Sequence, residues 1–175
     1  MIVVSDTSPI NYLVLVEQID RLYDLYRRVI IPSSVHRELQ ARETPRAVHV
    51  WLSHQPTWLE VVSLSKTPDP RLDYLGAGER DAIALAEELG ADRLLIDDRD
   101  GRREANRRQL LVIGTLGVLA ASAERDLLDL PEVIERLRTT TFRASPRILT
   151  ALVERYQKGS SSQSKERQKD SDDPR

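Results

Sequence analysis

The chain has no cysteine. That excludes a disulfide framework, a cysteine-ligated zinc site and a thiol nucleophile. Aromatic residues make up only 5% of it, so base stacking has little to work with. No sign of charge dominates: 26 lysines and arginines face 28 acids, for a formal net charge of -2. A polyanion partner would therefore have to be met by a local cluster of cations rather than by the whole surface. No apolar run approaches the roughly 18 residues of a membrane span, and no basic stretch leads into a long apolar one. The expectation is a cytoplasmic protein with no membrane contact. The histidines, His36, His49 and His54, show neither HExxH nor HxH spacing and read as surface or interface residues rather than metal ligands.

The 175 residues are 40% hydrophobic and 31% charged, which suits one soluble domain with a substantial core. Its pattern starts at once. Ile2-Val3-Val4 runs into Ser5-Asp6-Thr7-Ser8-Pro9, a short buried strand ending on an acid, followed by a helix start. Ser8 is a candidate N-cap and Pro9 a candidate first helical residue. Ligands of open α/β sheets bind beyond the carboxyl ends of the strands, where Asp6 stands. Helix capping by Asp6 itself is the competing reading.

Further strands are expected at Val29–Ile31, Trp58–Val62, Leu94–Ile96 and Leu110–Ile113. Helical spacing fills the stretches between them: Ile10 to Tyr26 (one helix, or two broken near Glu17–Asp20), a helix opening at Pro32-Ser33-Ser34, and a short one within 44–56. Then come Glu79–Leu89 closed by Gly90, an arginine-rich Gly101–Arg108, Leu116–Ala123, Pro131–Arg138 and Pro146–Tyr156. Strands alternating with helices imply a mostly parallel five-stranded sheet with helices on both faces. From 157 to 175 the chain is polar without apolar periodicity and reads as a disordered tail, leaving one domain over 1–156.

Two strands end in acids in the same sense, Asp6 after the first and Asp97-Asp98 after the fourth. If those strands are neighbours, the acids converge. Glu38 and the pair Glu79 and Asp81 lie in first turns of helices that should start on the same rim. Each acid alone is explained by the helix dipole; together they are not. Crowded carboxylates repel and need a counter-charge. An all-oxygen cluster suits Mg²⁺ or Mn²⁺, and such ions assist phosphodiester hydrolysis. Beside Asp98 lie Arg99, Arg102, Arg103, Arg107 and Arg108, opposed by Asp100 and Glu104. That strip suits a nucleic-acid backbone through Arg99, Arg102 and Arg103. The alternative is a solvated helix in which Glu104 pairs with Arg107 or Arg108.

Placed in order, these pieces resemble the PIN-domain ribonucleases, and most of all the branch related to the toxins of VapBC-type toxin–antitoxin pairs. The matching stretches are Val3-Val-Ser-Asp6-Thr-Ser8-Pro, Ile31-Pro-Ser-Ser-Val-His-Arg-Glu38-Leu and Gly76-Ala-Gly-Glu79-Arg-Asp81-Ala-Ile-Ala-Leu-Ala86. Leu94-Leu-Ile-Asp-Asp98-Arg and Val112-Ile-Gly-Thr-Leu-Gly-Val118-Leu complete the set, which covers residues 1 to about 155. The resemblance implies an α/β/α sandwich, an acidic rim holding Mg²⁺ or Mn²⁺, endonucleolytic cleavage of RNA and a cognate antitoxin partner. By position it makes Asp6, Asp81 and Asp98 the metal ligands and Glu38 a ligand or water-orienting group. Ser8 would support Asp6 or its water. The usual Thr-x-Asp reads Ile96-Asp97-Asp98 here, so Asp97 and Glu79 are additional candidates, with Asp98 preferred to Asp97 and Asp81 to Glu79.

Two rivals belong to other classes. One is an RNA-binding module of the same fold without turnover. The other is a phosphohydrolase with Asp6 as nucleophile, resembling haloacid dehalogenases; the second aspartate expected two positions on is Ser8. A homodimer through the apolar Leu13–Tyr26 stretch and Trp51 is the further partner expectation.

Overall fold

The computed structural model describes residues 1–171, with side chains through residue 158. The chain divides into two compact units, Met1–Leu119 and a second beginning at Ala120. The division falls inside a helix, α7 (Thr115–Ala123), so no loop marks it.

The first unit is built on five strands, β1 (Val3–Ser5), β2 (Val29–Pro32), β3 (Leu59–Val62), β4 (Arg93–Leu95) and β5 (Val112–Ile113). They form one sheet in the order β3-β2-β1-β4-β5, and every pairing is parallel. Strands buried on both faces read as unbroken apolar runs, as Val3-Val4, Val29-Ile30-Ile31 and Leu94-Leu95 do. β1 lies at the centre, with Val4 opposite Ile30 on one side and Ser5 opposite Leu95 on the other. The ladder runs one bond further, from the Asp6 amide to the Leu95 carbonyl at 2.9 Å. Strands one and four are thus neighbours, as convergence of their acids requires.

The helices between strands are α1 (Thr7–Leu15), α2 (Arg21–Tyr26), α3 (Ser33–Leu39), α4 (Arg46–Ser53), α5 (Ala77–Leu89) and α6 (Arg99–Arg107). Right-handed crossovers put α1 to α4 on one face and α5 and α6 on the other, an α/β/α sandwich. In keeping with this, α1 packs on α3 and α4, and α5 packs on α6. α5 lays Ala82, Ile83, Leu85 and Ala86 on Val4, Ile30, Leu94 and Ile96 of the sheet.

Local features set the helix boundaries. The 10–26 stretch is two helices, the second of its two alternatives, parted where Glu17 adopts φ 58. The first of them begins at Thr7, with Asp6 rather than Ser8 in the N-cap position. Pro9 then falls in the first turn, where a missing N–H costs nothing. α6 begins at Arg99 instead of Gly101, because Asp98 Oδ1 accepts the amides of Asp100 and Gly101, both at 2.8 Å. Leu13, Leu22 and Leu25, expected at a dimer surface, are buried in the chain itself, and Trp51 rests against Trp58 with ring centroids 6.3 Å apart.

A proline-containing connection, 66–76, joins β3 to α5. Arg108 anchors it, its Nη2 bonding Asp69 at 3.0 Å, Nε bonding Glu104 at 2.8 Å and Nη1 bonding Glu87 at 3.0 Å. Three acids share one guanidinium, and Glu104 is 4% exposed. Arg108→Ala leaves Glu104 without its main counter-charge. Because the cluster lies just under the surface, the expected loss is about 2 kcal/mol, below the range for deep pairs. Thermal unfolding should show this as a fall of roughly 4–8 °C; an unchanged midpoint would mean the network is decorative.

The second unit contains α8 (Leu130–Arg138) and α9 (Pro146–Ser171), which pack on each other. Asp129 caps α8, its Oδ1 accepting the Glu132 amide at 3.0 Å. α9 continues past Tyr156, where the disordered tail was expected to begin, as far as Ser171. Between Lys158 and Ser171 there is no proline and Gly159 is the one glycine, while Gln, Lys, Glu and Arg are good helix formers. Residues 172–175 of the expected tail lie outside the described residues. Among the described residues no helix is long and apolar enough to cross a membrane.

Candidate active site

β1 delivers Asp6 to the carboxyl rim of the sheet and α1 starts immediately after it. Asp6 occupies the N-cap position, but its side chain makes no capping bond. It is 1% exposed, and neither carboxylate oxygen has a hydrogen-bond partner. An acid that sits where a cap belongs and caps nothing is not there for the helix. Burial, then the neighbouring charge of Glu79, then that of Glu38, push its pKa up to about 8; the Thr7 and Ser8 amide dipoles offset this only in part.

Glu38 reaches Asp6 from α3. Thr7 Oγ1 donates to Glu38 Oε2, and the Gly78 amide donates to Oε1 at 2.8 Å. The first residues of α1 and α5 therefore hold the Glu38 carboxylate in place. Gly78 itself is part of the site. A Cβ there would overlap Glu38 Oε2 and stand 2.9 Å from Asp6 Oδ1. The two carboxylates share the space above a backbone that only glycine leaves open.

Glu79 is half-buried next to them. Burial, and then the charges of Asp98 and Glu38, raise its pKa. It is thus Glu79 that is electrostatically coupled to Asp6, Glu38 and Asp98. Asp81, preferred from the sequence, is 8% exposed and bonded to Arg80 Nε at 2.9 Å. α5 starts at Ala77, two residues earlier than its apolar spacing suggests, with Glu79 in its first turn. Two helical positions turn a side chain by about 200°, so Glu79 and Asp81 diverge.

The strand-four acids divide their work. Asp97 Oδ1 accepts the Thr115 amide at 2.8 Å and Oδ2 the Thr115 hydroxyl at 2.6 Å, so it ties β4 to the start of α7. Burial raises its pKa, while the Thr115 bonds and Arg102 pull it back. Asp98 is exposed and caps α6 through Oδ1, and its charge acts on Glu79. Ser8 makes no hydrogen bond to the Asp6 side chain.

The arginine strip is largely spent within the chain. Arg102 Nη1 donates to the Ile96 carbonyl at 3.1 Å, and Arg103 pairs with Asp100 at 3.2 Å. Arg107 pairs with Glu104 at 2.9 Å, and Arg108 with Glu104, Asp69 and Glu87. Arg99 remains exposed beside Asp98, with no partner among the described residues. Sequence reasoning missed Thr7 and Gly78. Both stand within motifs already singled out, Asp6-Thr-Ser8 and Gly76-Ala-Gly-Glu79, but a donor hydroxyl and an absent side chain give no chemical signal of their own.

Among the described residues, no three His, Cys, Asp or Glu side chains stand close enough to cage a metal ion as they are. The donor set is nonetheless one that a hard divalent cation fits. Two buried carboxylate oxygens are orphaned, two further acids repel them, and every available donor is oxygen. Mg²⁺ in particular is held by one or two carboxylates and keeps several waters, so a full protein cage is not what it demands.

A family model described as a PIN domain matches residues 2–158 of the chain. No curated protein matches it. Among solved structures it is similar to a PilT N-terminus domain protein from the hyperthermophilic archaeon Sulfolobus solfataricus P2. The two are 22% identical with a TM-score of 0.52, over 70% of this chain and 93% of that one. At that identity the likeness speaks for the fold.

Proposed function

Because the chain belongs to the PIN-domain family, whose members are generally nucleases, we propose that its acidic rim is a metal-dependent endoribonuclease centre. The finer reading is the toxin of a type II toxin–antitoxin pair, with RNA as substrate, Mg²⁺ or Mn²⁺ as cofactor and an antitoxin as protein partner. One observation carries the catalytic reading. Asp6 is buried, unbonded and pressed by two other acids at the rim of a parallel sheet. A structural acid would be paired or exposed.

Asp6 and Glu79 would hold the ion, with Asp98 reaching it directly or through water. The ion supplies a water of lowered pKa and positive charge for the oxygens of the phosphoryl centre. Glu38, fixed by Thr7 and the Gly78 amide, orients the attacking water toward the phosphorus. Gly78 keeps the space between the carboxylates open to an ion and a phosphate oxygen. Arg99 stands ready to pair with a flanking phosphate.

The deciding experiment is incubation of a mixed single-stranded RNA with the purified chain in Mn²⁺ or in EDTA. Internal cleavage in Mn²⁺ alone is expected. A folded protein that binds RNA but never cuts it would make this a binding module instead. Growth arrest on expression of the chain alone, relieved by the product of an adjacent small reading frame, is the outcome expected of a toxin; harmless expression would remove that finer reading.

The electrostatics add a pH prediction. With Asp6 protonated below about 8, an ion must displace a proton to bind there. Apparent Mn²⁺ affinity should rise up to about tenfold per pH unit from 5 to 8 and level off above. Calorimetric titration in buffers of different ionisation heat reads the proton release. Affinity that ignores pH would remove Asp6 from the ligand set.

A further inference from the structure

With every arginine of α6 but Arg99 engaged by acids and carbonyls of the chain itself, the substrate's phosphates need another set of cations. In the first unit, the described arginines that have no hydrogen-bond, ion-pair or ring partner are Arg37, Arg42, Arg46 and Arg99. All four are exposed. The first three fall within ten residues of sequence, and that stretch is the one carrying Glu38.

Its geometry keeps them together. After Glu38 the chain turns tightly, the Ala41 amide donating to the Glu38 carbonyl at 3.0 Å and the Thr44 amide to the Ala41 carbonyl at 3.0 Å. Thr44 Oγ1 closes the turn onto the same Glu38 carbonyl at 2.9 Å. Pro45 then launches α4 with Arg46 as its first residue. Glu38 points inward to Thr7 and Gly78, so the turn that follows it borders the acidic centre from the α3 side. Glu43 is the other acid of the stretch and is exposed. With Glu38 turned into the site, three guanidiniums face solvent against one carboxylate.

We propose that Arg37, Arg42 and Arg46, on the α3–α4 turn beside Glu38, form the track that binds the phosphates of a single-stranded RNA leading into the acidic centre. This rests on the reading of that centre as a ribonuclease site. Long unpaired guanidiniums next to a carboxylate cluster serve two ends. They offset the repulsion between the acids and the RNA backbone, and their forks grip phosphate oxygens without regard to base. Arg99 lies on the opposite side of the centre, beside Asp98, so the strand would have cations on both sides of the cleavage point. The strip expected on α6 carries sequence charge but little free charge.

The test is binding of a labelled mixed-sequence single-stranded RNA in EDTA, from about 50 to 200 mM salt, by the full chain and two variants. In Arg37→Ala/Arg42→Ala/Arg46→Ala, affinity at the lowest salt should fall about tenfold or more. The slope of log affinity against log salt should become shallower by roughly 2. In Arg103→Ala/Arg107→Ala, which removes as exposed a pair from α6, affinity should stay within about twofold of the parent. The melting temperature of the triple variant should not move, since its arginines have no partners to lose. RNA bound by the parent with an unchanged slope in the triple variant, or a loss confined to the α6 variant, overturns the track and leaves the nuclease reading intact. A parent that neither binds nor cuts RNA overturns both. Under cleavage conditions the triple variant should raise KM with kcat little changed, as loss of uniform binding does.

Discussion

Asp6→Asn is expected to cut metal-dependent RNA cleavage by about 1,000-fold or more, and at the same time to stabilise the metal-free protein. The loss follows from removing a buried carboxylate whose two oxygens are both unclaimed. The gain follows from linkage. In the folded chain the Asp6 pKa is raised from 3.8 to about 8. The folded state therefore holds a proton that the unfolded state has released between those values, and stability falls as pH rises through that window. The penalty is absent below about pH 4 and complete above about pH 8. Asparagine cannot ionise, so the variant escapes it, though its buried amide is left unpaired. The net gain is put at about 2 kcal/mol near pH 8, an upward shift of roughly 4–8 °C. Melting curves in EDTA at pH 5 and pH 8 should show the parent destabilised by the change and the variant much less so. An active variant, or one with the parent's pH slope and a lower midpoint, contradicts the assignment. A purely structural Asp6 would lose stability on replacement.

Gly78→Ala is the second substitution with a large expected effect. Its methyl group would occupy the space that Glu38 Oε2 and Asp6 Oδ1 now border. Both are tips of side chains, so the helix can accept the change, and alanine is the better helix former by about 1 kcal/mol. The fold should hold and the melting temperature should stay level or rise. Activity should fall by about 100-fold, because Glu38 must leave its position and the ion loses room. Mn²⁺ titration and cleavage, measured beside the melt, separate the two effects. A variant that melts high and cuts well would mean that the approach of Asp6 and Glu38 over Gly78 has no part in the reaction.

Much of this arrangement was legible in the residues. Val3-Val4, Val29-Ile30-Ile31 and Leu94-Leu95 announce strands buried on both faces, and Asp6 follows the first of them with no packing reason to be there. The parallel sheet then follows from the alternation, and the meeting of strands one and four from the acids at their ends. What could not be read depends on where helices begin and on what distant residues supply. The coupling of Glu79 to Asp6, and the engagement of Asp81 by Arg80, depend on tertiary placement that helical spacing does not give. Asp97 and Asp98 are adjacent in sequence, and only the Thr115 bonds, made 18 residues on, show that Asp97 is occupied. The pairing of Glu104 with Arg107 and Arg108 was open on helical spacing, but that Glu87 and Asp69 also close on Arg108 was not. Charge in a sequence is counted; free charge depends on tertiary pairing.

The pairing of Val3 with Arg93 and of Ser5 with Leu95 has a consequence for the order of events in synthesis. The strand that carries Asp6 emerges first, yet one of its two flanking neighbours is made 90 residues later. Closing so long a loop is slow, and nothing holds Asp6 against Leu95 until it happens. The acids at positions 6, 38, 79 and 98 lie far apart along the chain and meet only when the sheet's middle is complete. If the acidic rim cuts RNA as proposed, a growing polypeptide carries no complete centre while β4 is still unmade, and a chain terminated before residue 93 should be inert toward the RNA from which it is being read.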